Sequence, residues 1–169
     1  MKFAKCVMVM VVLAIVVATS GLVPRRIGDR LQIVLPLAGL GCAAVSGQWA
    51  PYLTRFVGLE AVLYSSKESL GASPINMRPD GSLHGFPSGH TAAATFGAAG
   101  LAETCLRANI VATTMVYLAS TFTGASRVEA GRHTSIQVVA GGLLGWLFQI
   151  VPLVGLRRFR SGRRRQARA

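Results

Sequence analysis

The residues able to do chemistry in this 169-residue chain gather in three short stretches. Lys67 precedes Arg78-Pro79, Phe86-Pro87-Ser88-Gly89-His90 follows, and five residues separate Ser126-Arg127 from His133. A lysine and two arginines suit a phosphate, because guanidinium forks match its oxygens and an ammonium adds a point charge. Pro87 and Gly89 fix a tight turn, and Ser88 and Gly89 can offer N–H groups at a helix start, where an anion binds well. Two histidines, His90 and His133, then suggest a nucleophile for phosphorus and an acid for the leaving oxygen. No carboxylate-and-histidine ligand set appears, so the chemistry requires no metal and no cofactor. Taken alone, Pro-Ser-Gly-His is equally a capped turn. What decides is whether the chain brings these groups together.

The elements that must do so are apolar. The chain is 51% hydrophobic with a mean hydropathy of +0.48, too apolar for an ordinary soluble domain of this size. Six membrane spans are expected: Cys6 to Val23, Leu31 to Ser46, Pro51 to Ser66, Thr91 to Leu106, Ala108 to Thr123 and Thr134 to Leu156. The fold class is therefore all-α, an integral membrane bundle of six transmembrane helices over residues 1–156, followed by a basic tail, 157–169. The first run also reads as a secretory signal peptide. Pro24 to Arg30 reads as a polar loop, and Pro36 as a kink. The small residues of the fourth span, Ala92 to Gly100, predict backbone-to-backbone packing inside the bundle. Glu103 and Arg107 form a helix pair. Glu60 shares a face with Lys67, as an interaction partner or as a structural hydrogen-bonding group.

Charge sets the orientation. The net charge is +12, and seven arginines lie between Arg157 and Arg168. Beside a membrane span such a tail marks the cytoplasmic side and touches anionic lipid; it is not read as binding nucleic acid. Both termini are then cytoplasmic, and the loops holding Lys67, Arg78, Ser88, His90, Arg127 and His133 share the outer face. Arg25, Arg26 and Arg30 stand against this arrangement, with Asp29 offsetting one of them. Cys6, Cys42 and Cys105 make an odd count without a CxxC pair, and are expected as reduced thiols in the cytoplasmic half. His84, Asp80, Glu129 and Arg132 read as loop or surface groups.

The series Lys67, Arg78-Pro79, Pro87-Ser88-Gly89-His90, Ser126-Arg127 and His133 resembles the three-part signature of the type-2 phosphatidic acid phosphatase superfamily, in its membrane branch. The resemblance implies His133 as a nucleophile forming a phosphohistidine and His90 as the general acid. It implies Lys67, Arg78, Arg127, Ser88 and Gly89 as the phosphate cradle. Two departures stand out. Ten residues separate Lys67 from Arg78, more than the family spacing, and Gly71 occupies the usual lysine position; a stretched first gap and a short second one are similar to the lipid A phosphatase branch. The aspartate that follows the nucleophilic histidine is Gln137, whose carbonyl can orient the imidazole but supplies no charge. On the resemblance alone, Gln137→Asp should preserve or raise activity.

The expected function is a metal-independent membrane lipid phosphatase. It would act on a lipid phosphate of the lipid A, undecaprenyl diphosphate or phosphatidylglycerol phosphate class, in the bacterial inner membrane, with its site facing outward. The rival class is a non-catalytic phospholipid-binding membrane protein on the same scaffold, motivated by Gln137. A small transporter would need polar residues along a path, and Glu60 is almost alone at mid-depth. The sequence gives no oligomeric state.

Overall fold

A computed structural model describes residues 2–151 of the chain, with side chains from Val7 onward. The basic tail, 157–169, and the last residues of the expected sixth span lie outside the described residues. Six α-helices follow in order: α1 (Lys2–Thr19), α2 (Pro24–Val45), α3 (Trp49–Leu70), α4 (Gly89–Thr104), α5 (Ile110–Glu129) and α6 (Ser135–Ile150). One 3₁₀ turn, Pro74–Asn76, lies between α3 and α4, and there is no strand among the described residues.

Helix α4 is the axis of the bundle, packed by α2, α5 and α6. Its sequence explains this. Ala92, Ala94, Ala98 and Ala99 are fully buried, and such small side chains let neighbouring backbones approach closely. On α6, Gly141 and Gly145 lie one turn apart; a Cβ at either would run into the carbonyl of Ser88 or of Ala92 on α4. Gly97 of α4 similarly meets the Leu35–Pro36 backbone of α2. The largest buried side chain of α4, Phe96, packs edge-on to Tyr52 of α3, with ring centroids 4.9 Å apart. The Tyr52 hydroxyl donates to the Pro36 carbonyl at 2.8 Å, tying α3 to the proline of α2. At the helix starts, Asn109 caps α5, and Thr134 caps α6 in a reciprocal box with Gln137.

Several expectations are corrected. Helix α2 begins at Pro24 rather than Leu31, because proline is well suited to the first helical position; Asp29 therefore lies on a helix. Helix α5 runs on to Glu129, which puts Arg127 in its last turn rather than in a loop. Cys42 and Cys105 form a disulfide, not two thiols. The last turn of α2 and the residue just after α4 meet there, with Cα atoms 6.0 Å apart, a separation a disulfide can span. The side chain of Cys6 is outside those described. Finally, Pro24–Val45 is the one described helix both long and apolar enough to cross a bilayer; Val7–Thr19 and Ser135–Ile150 are apolar but shorter. By length and composition the described helices thus give one candidate span where six are expected. The Glu103–Arg107 pair forms as expected, at 3.2 Å.

Candidate active site

The up-and-down course of the helices brings the expected groups to one end of the bundle. Lys67 lies in the last turn of α3, Gly89 and His90 open α4, Arg127 closes α5, His133 follows it, and Gln137 is in the first turn of α6. Arg78 acts electrostatically on both Lys67 and His133, and His90 on His133. Lys67 resolves the irregular first spacing. Its ammonium sits 3.4 Å from where a side chain at Gly89 would begin, so it reaches the start of α4 from one turn below Gly71. Glu60 is exposed, within Coulombic range of Lys67.

His133 is the most constrained of these groups. It is 4% exposed, and its Nδ1 faces two acceptors, the Gly85 carbonyl at 3.0 Å and Gln137 Oε1 at 3.2 Å. The amide of Gln137 cannot be turned around, because its Nε2 donates to the carbonyls of Ile75 at 2.9 Å and Met77 at 2.8 Å. Its oxygen also accepts from the Thr134 N–H at 3.1 Å. The network therefore assigns the proton to Nδ1 and leaves the Nε2 lone pair of His133 free. Burial pulls the His133 ring down to about 4, with the Arg78 charge acting in the same direction against the hydrogen bonds from Gln137 and Gly85. At neutral pH the ring is an uncharged base. Gly85 has no room for a side chain, since a Cβ would lie 2.5 Å from Gln137 Nε2.

The loop that supplies these carbonyls is held by Asn76, which is fully buried. Its Nδ2 donates to the carbonyls of Lys67 at 2.9 Å and Gly71 at 2.7 Å, and its Oδ1 accepts from the Phe86 N–H at 3.1 Å. Asn76 thus closes the end of α3 and fixes the approach to the Pro-Ser-Gly-His turn, whose Phe86–Pro87 bond is cis. On the exposed rim, Glu68 pairs with His84 at 3.4 Å and Asp80 with Arg132 at 3.0 Å. Arg78 donates to the His84 carbonyl at 3.3 Å, while its Nε is buried and unpartnered.

Ser88 departs from its expected place in the cradle. It is fully buried, its N–H donates to the Gln137 carbonyl at 2.9 Å, and its hydroxyl is 3.1 Å from that of Thr91. It joins α4 to α6 instead. The amides of Gly89 and His90, in the first turn of α4, have no intrahelical acceptor and are the donors this end offers an anion.

Asp29 is the residue sequence reasoning missed. Its Oδ1 lies 2.7 Å from the Arg127 guanidinium and 3.3 Å from His90 Nε2. Arg127 also donates to the Arg25 carbonyl at 2.6 Å and is only 3% exposed, with Nε unpartnered. Gly28 makes room for this, because a Cβ there would strike Ser126 Oγ. The only available signal was a lone acid among three arginines, which reads as charge compensation.

A family model described as PAP2 superfamily matches residues 44–160. The chain belongs to the PAP2 superfamily. No curated protein and no solved structure matches it. The family match takes in α3 to α6 and every expected site residue of this PAP2 chain, but not α1, most of α2, or Asp29. Membership supports a phosphatase acting on phosphate esters.

Gln137→Asp is expected to lower kcat by roughly tenfold to a hundredfold, the reverse of what the family resemblance implies. A carboxylate strips the Ile75 and Met77 carbonyls of their donors and faces them with charge. Steady-state phosphate release checks this, and unchanged or faster turnover would contradict the network. Asp29→Asn removes the charge that holds Arg127 and His90. Its kcat should fall by about tenfold or more with the fold retained, read by turnover beside thermal unfolding. The acidic limb of kcat/KM should lie near pH 4 and not near the ordinary histidine value of about 6.5.

Proposed function

We propose that the protein is a membrane lipid phosphatase that works through a phosphohistidine on His133. The observation that carries this reading is the fixed tautomer of His133, with Nδ1–H held by Gly85 and Gln137 and Nε2 left as the nucleophile. Lys67, Arg78, Arg127 and the amides of Gly89 and His90 hold the phosphate oxygens and neutralise the charge that grows on them. His133 Nε2 forms a bond to phosphorus as the bond to the leaving oxygen breaks. His90 gives its proton to that oxygen, which replaces Asp29 as the acceptor, and the lipid product departs. Water then attacks phosphorus, neutral His90 takes its proton, the P–N bond breaks with its electron pair returning to His133, and inorganic phosphate leaves. No step calls on a metal, so turnover should persist in EDTA.

The lipid assignment rests on the surface. Large apolar side chains face outward on five helices, among them Met10, Ile33, Val57, Leu118 and Leu143, more than a water-facing domain of this size carries. An apolar groove between α1, α2 and α5 rises past Leu31 and Phe122 to Leu22 and Ile27, close in sequence to Asp29 and Arg127. It suits the acyl or prenyl chain of a lipid whose phosphate meets the site. We place all six helices in the membrane on this basis, with lipid A, undecaprenyl diphosphate or phosphatidylglycerol phosphate as substrate classes, and anionic lipid at the basic tail. The arginine-rich end favours the bacterial cytoplasm and sends the site outward. The Cys42–Cys105 bridge pulls the other way, because disulfides persist in oxidising compartments. Protease accessibility of the basic end in intact cells decides the orientation.

The competing reading, a phospholipid-binding protein without catalysis, draws on the missing charge at Gln137. Phosphate release from a small set of lipid phosphates by detergent-solubilised protein separates the two. The wild type should release phosphate and form an acid-labile phosphoenzyme, and His133→Ala should do neither. Lipid-phosphate binding without release in the wild type would favour the binder.

A further inference from the structure

The end of the bundle opposite His133 carries a polar cavity of about 350 Å³, formed where α3 starts and α4 and α6 end. Gln48, Arg55, Glu103, Arg107 and Gln149 line it. Two of its polar atoms are buried without a hydrogen-bond partner, Arg55 Nε and Gln149 Oε1. Gln149 is 7% exposed. Arg107 is paired with Glu103 at 3.2 Å, whereas Arg55 has no carboxylate partner among the described residues. A guanidinium nitrogen and an amide oxygen, both withdrawn from water and left unmatched, are costly, and both residues line the same cavity, with the rest of Arg55 half-buried. A ligand relieving both must carry an anion for the guanidinium and a donor for the glutamine oxygen. A metal cation is repelled by Arg55, and a nucleic acid is too large for the cavity.

We propose that this cavity binds a phosphate-bearing headgroup with a free hydroxyl, the chemistry of a glycerol phosphate, at a site separate from the one that holds His133. The phosphate sits on Arg55, and the hydroxyl donates to Gln149 Oε1. Trp49, exposed at the start of α3, marks an interfacial aromatic if the bundle lies in the membrane as proposed above. Arg55 is then about 9 Å further along the helix axis, at 1.5 Å per residue, a depth a lipid headgroup can reach. The same chemistry is offered by soluble glycerol phosphate.

The test uses the full chain in an uncharged detergent, with binding read by native mass spectrometry. The probes are short-chain phosphatidylglycerol, glycerol 3-phosphate and short-chain phosphatidylcholine. Phosphatidylglycerol should bind the wild type, at least tenfold more weakly to Arg55→Gln, and more tightly to Glu103→Gln, which releases Arg107 from its competing acid. Phosphate release from a lipid phosphate should be unchanged in both variants. Competition by glycerol 3-phosphate at equal concentration identifies the soluble source; its failure to compete identifies the lipid. Equal phosphatidylglycerol binding by the wild type and both variants overturns the proposal, as does equally tight binding of phosphatidylcholine. Should Arg55→Gln fail to fold, Glu103→Gln carries the test through a gain in affinity. Binding is read without turnover, so loss of the phosphatase reading would leave this result standing.

Discussion

The geometry at the site end depends on the direction in which one buried amide points. Gln137 gives its NH₂ to two loop carbonyls and turns its oxygen toward His133 and the start of α6. Neither a carboxylate nor a hydrocarbon can do both. The loop carrying Ile75 and Met77, the imidazole and the helix cap are therefore parts of one arrangement. Its remaining wall, the Gly85 carbonyl, is placed by Asn76 through the Gly85 amide. A neutral Gln137 thus holds the histidine without supplying a charge. It orients the ring through hydrogen bonds and lets burial keep it unprotonated.

The packing beneath explains why such a small chain can hold a site this tightly. Glycines on α6 and alanines on α4 bring two backbones together until the Ser88 amide reaches the Gln137 carbonyl. The turn that presents Gly89 and His90 is thereby fastened to the helix that begins beside His133. Dispersion between closely packed backbones, rather than large interlocking side chains, holds this contact.

Much of this was legible in the sequence. The small residues from Ala92 to Gly100 foretold a buried central helix, and the three motifs named groups that lie at one end of the bundle, although Ser88 joins α4 to α6 instead of facing the site. What the sequence concealed falls into two kinds. Pro24 and Arg127 looked like loop residues because charge and proline suggest loops, yet proline is at home in a first helical turn and a buried arginine is tolerated where a carboxylate and a carbonyl receive it. Asp29, Asn76 and the Cys42–Cys105 bridge depend on tertiary approach between segments far apart in the chain. No local pattern encodes such contacts, and Asp29 falls outside the segment the family shares.

The grip on Arg127 also bears on how the chain is made. Asp29 and Arg25 hold a guanidinium 98 and 102 positions further on, so the carboxylate leaves the ribosome long before its partner does. Throughout that interval the Asp29 carboxylate has only the arginines of its own helix beside it in sequence, Arg25, Arg26 and Arg30. The first two helices can form early but cannot reach their final seat until α5 arrives, since both pack against it. Completion of the end that carries His90 and His133 is therefore a late event in biosynthesis, because it waits for α5 to deliver Arg127 to Asp29 and the Arg25 carbonyl.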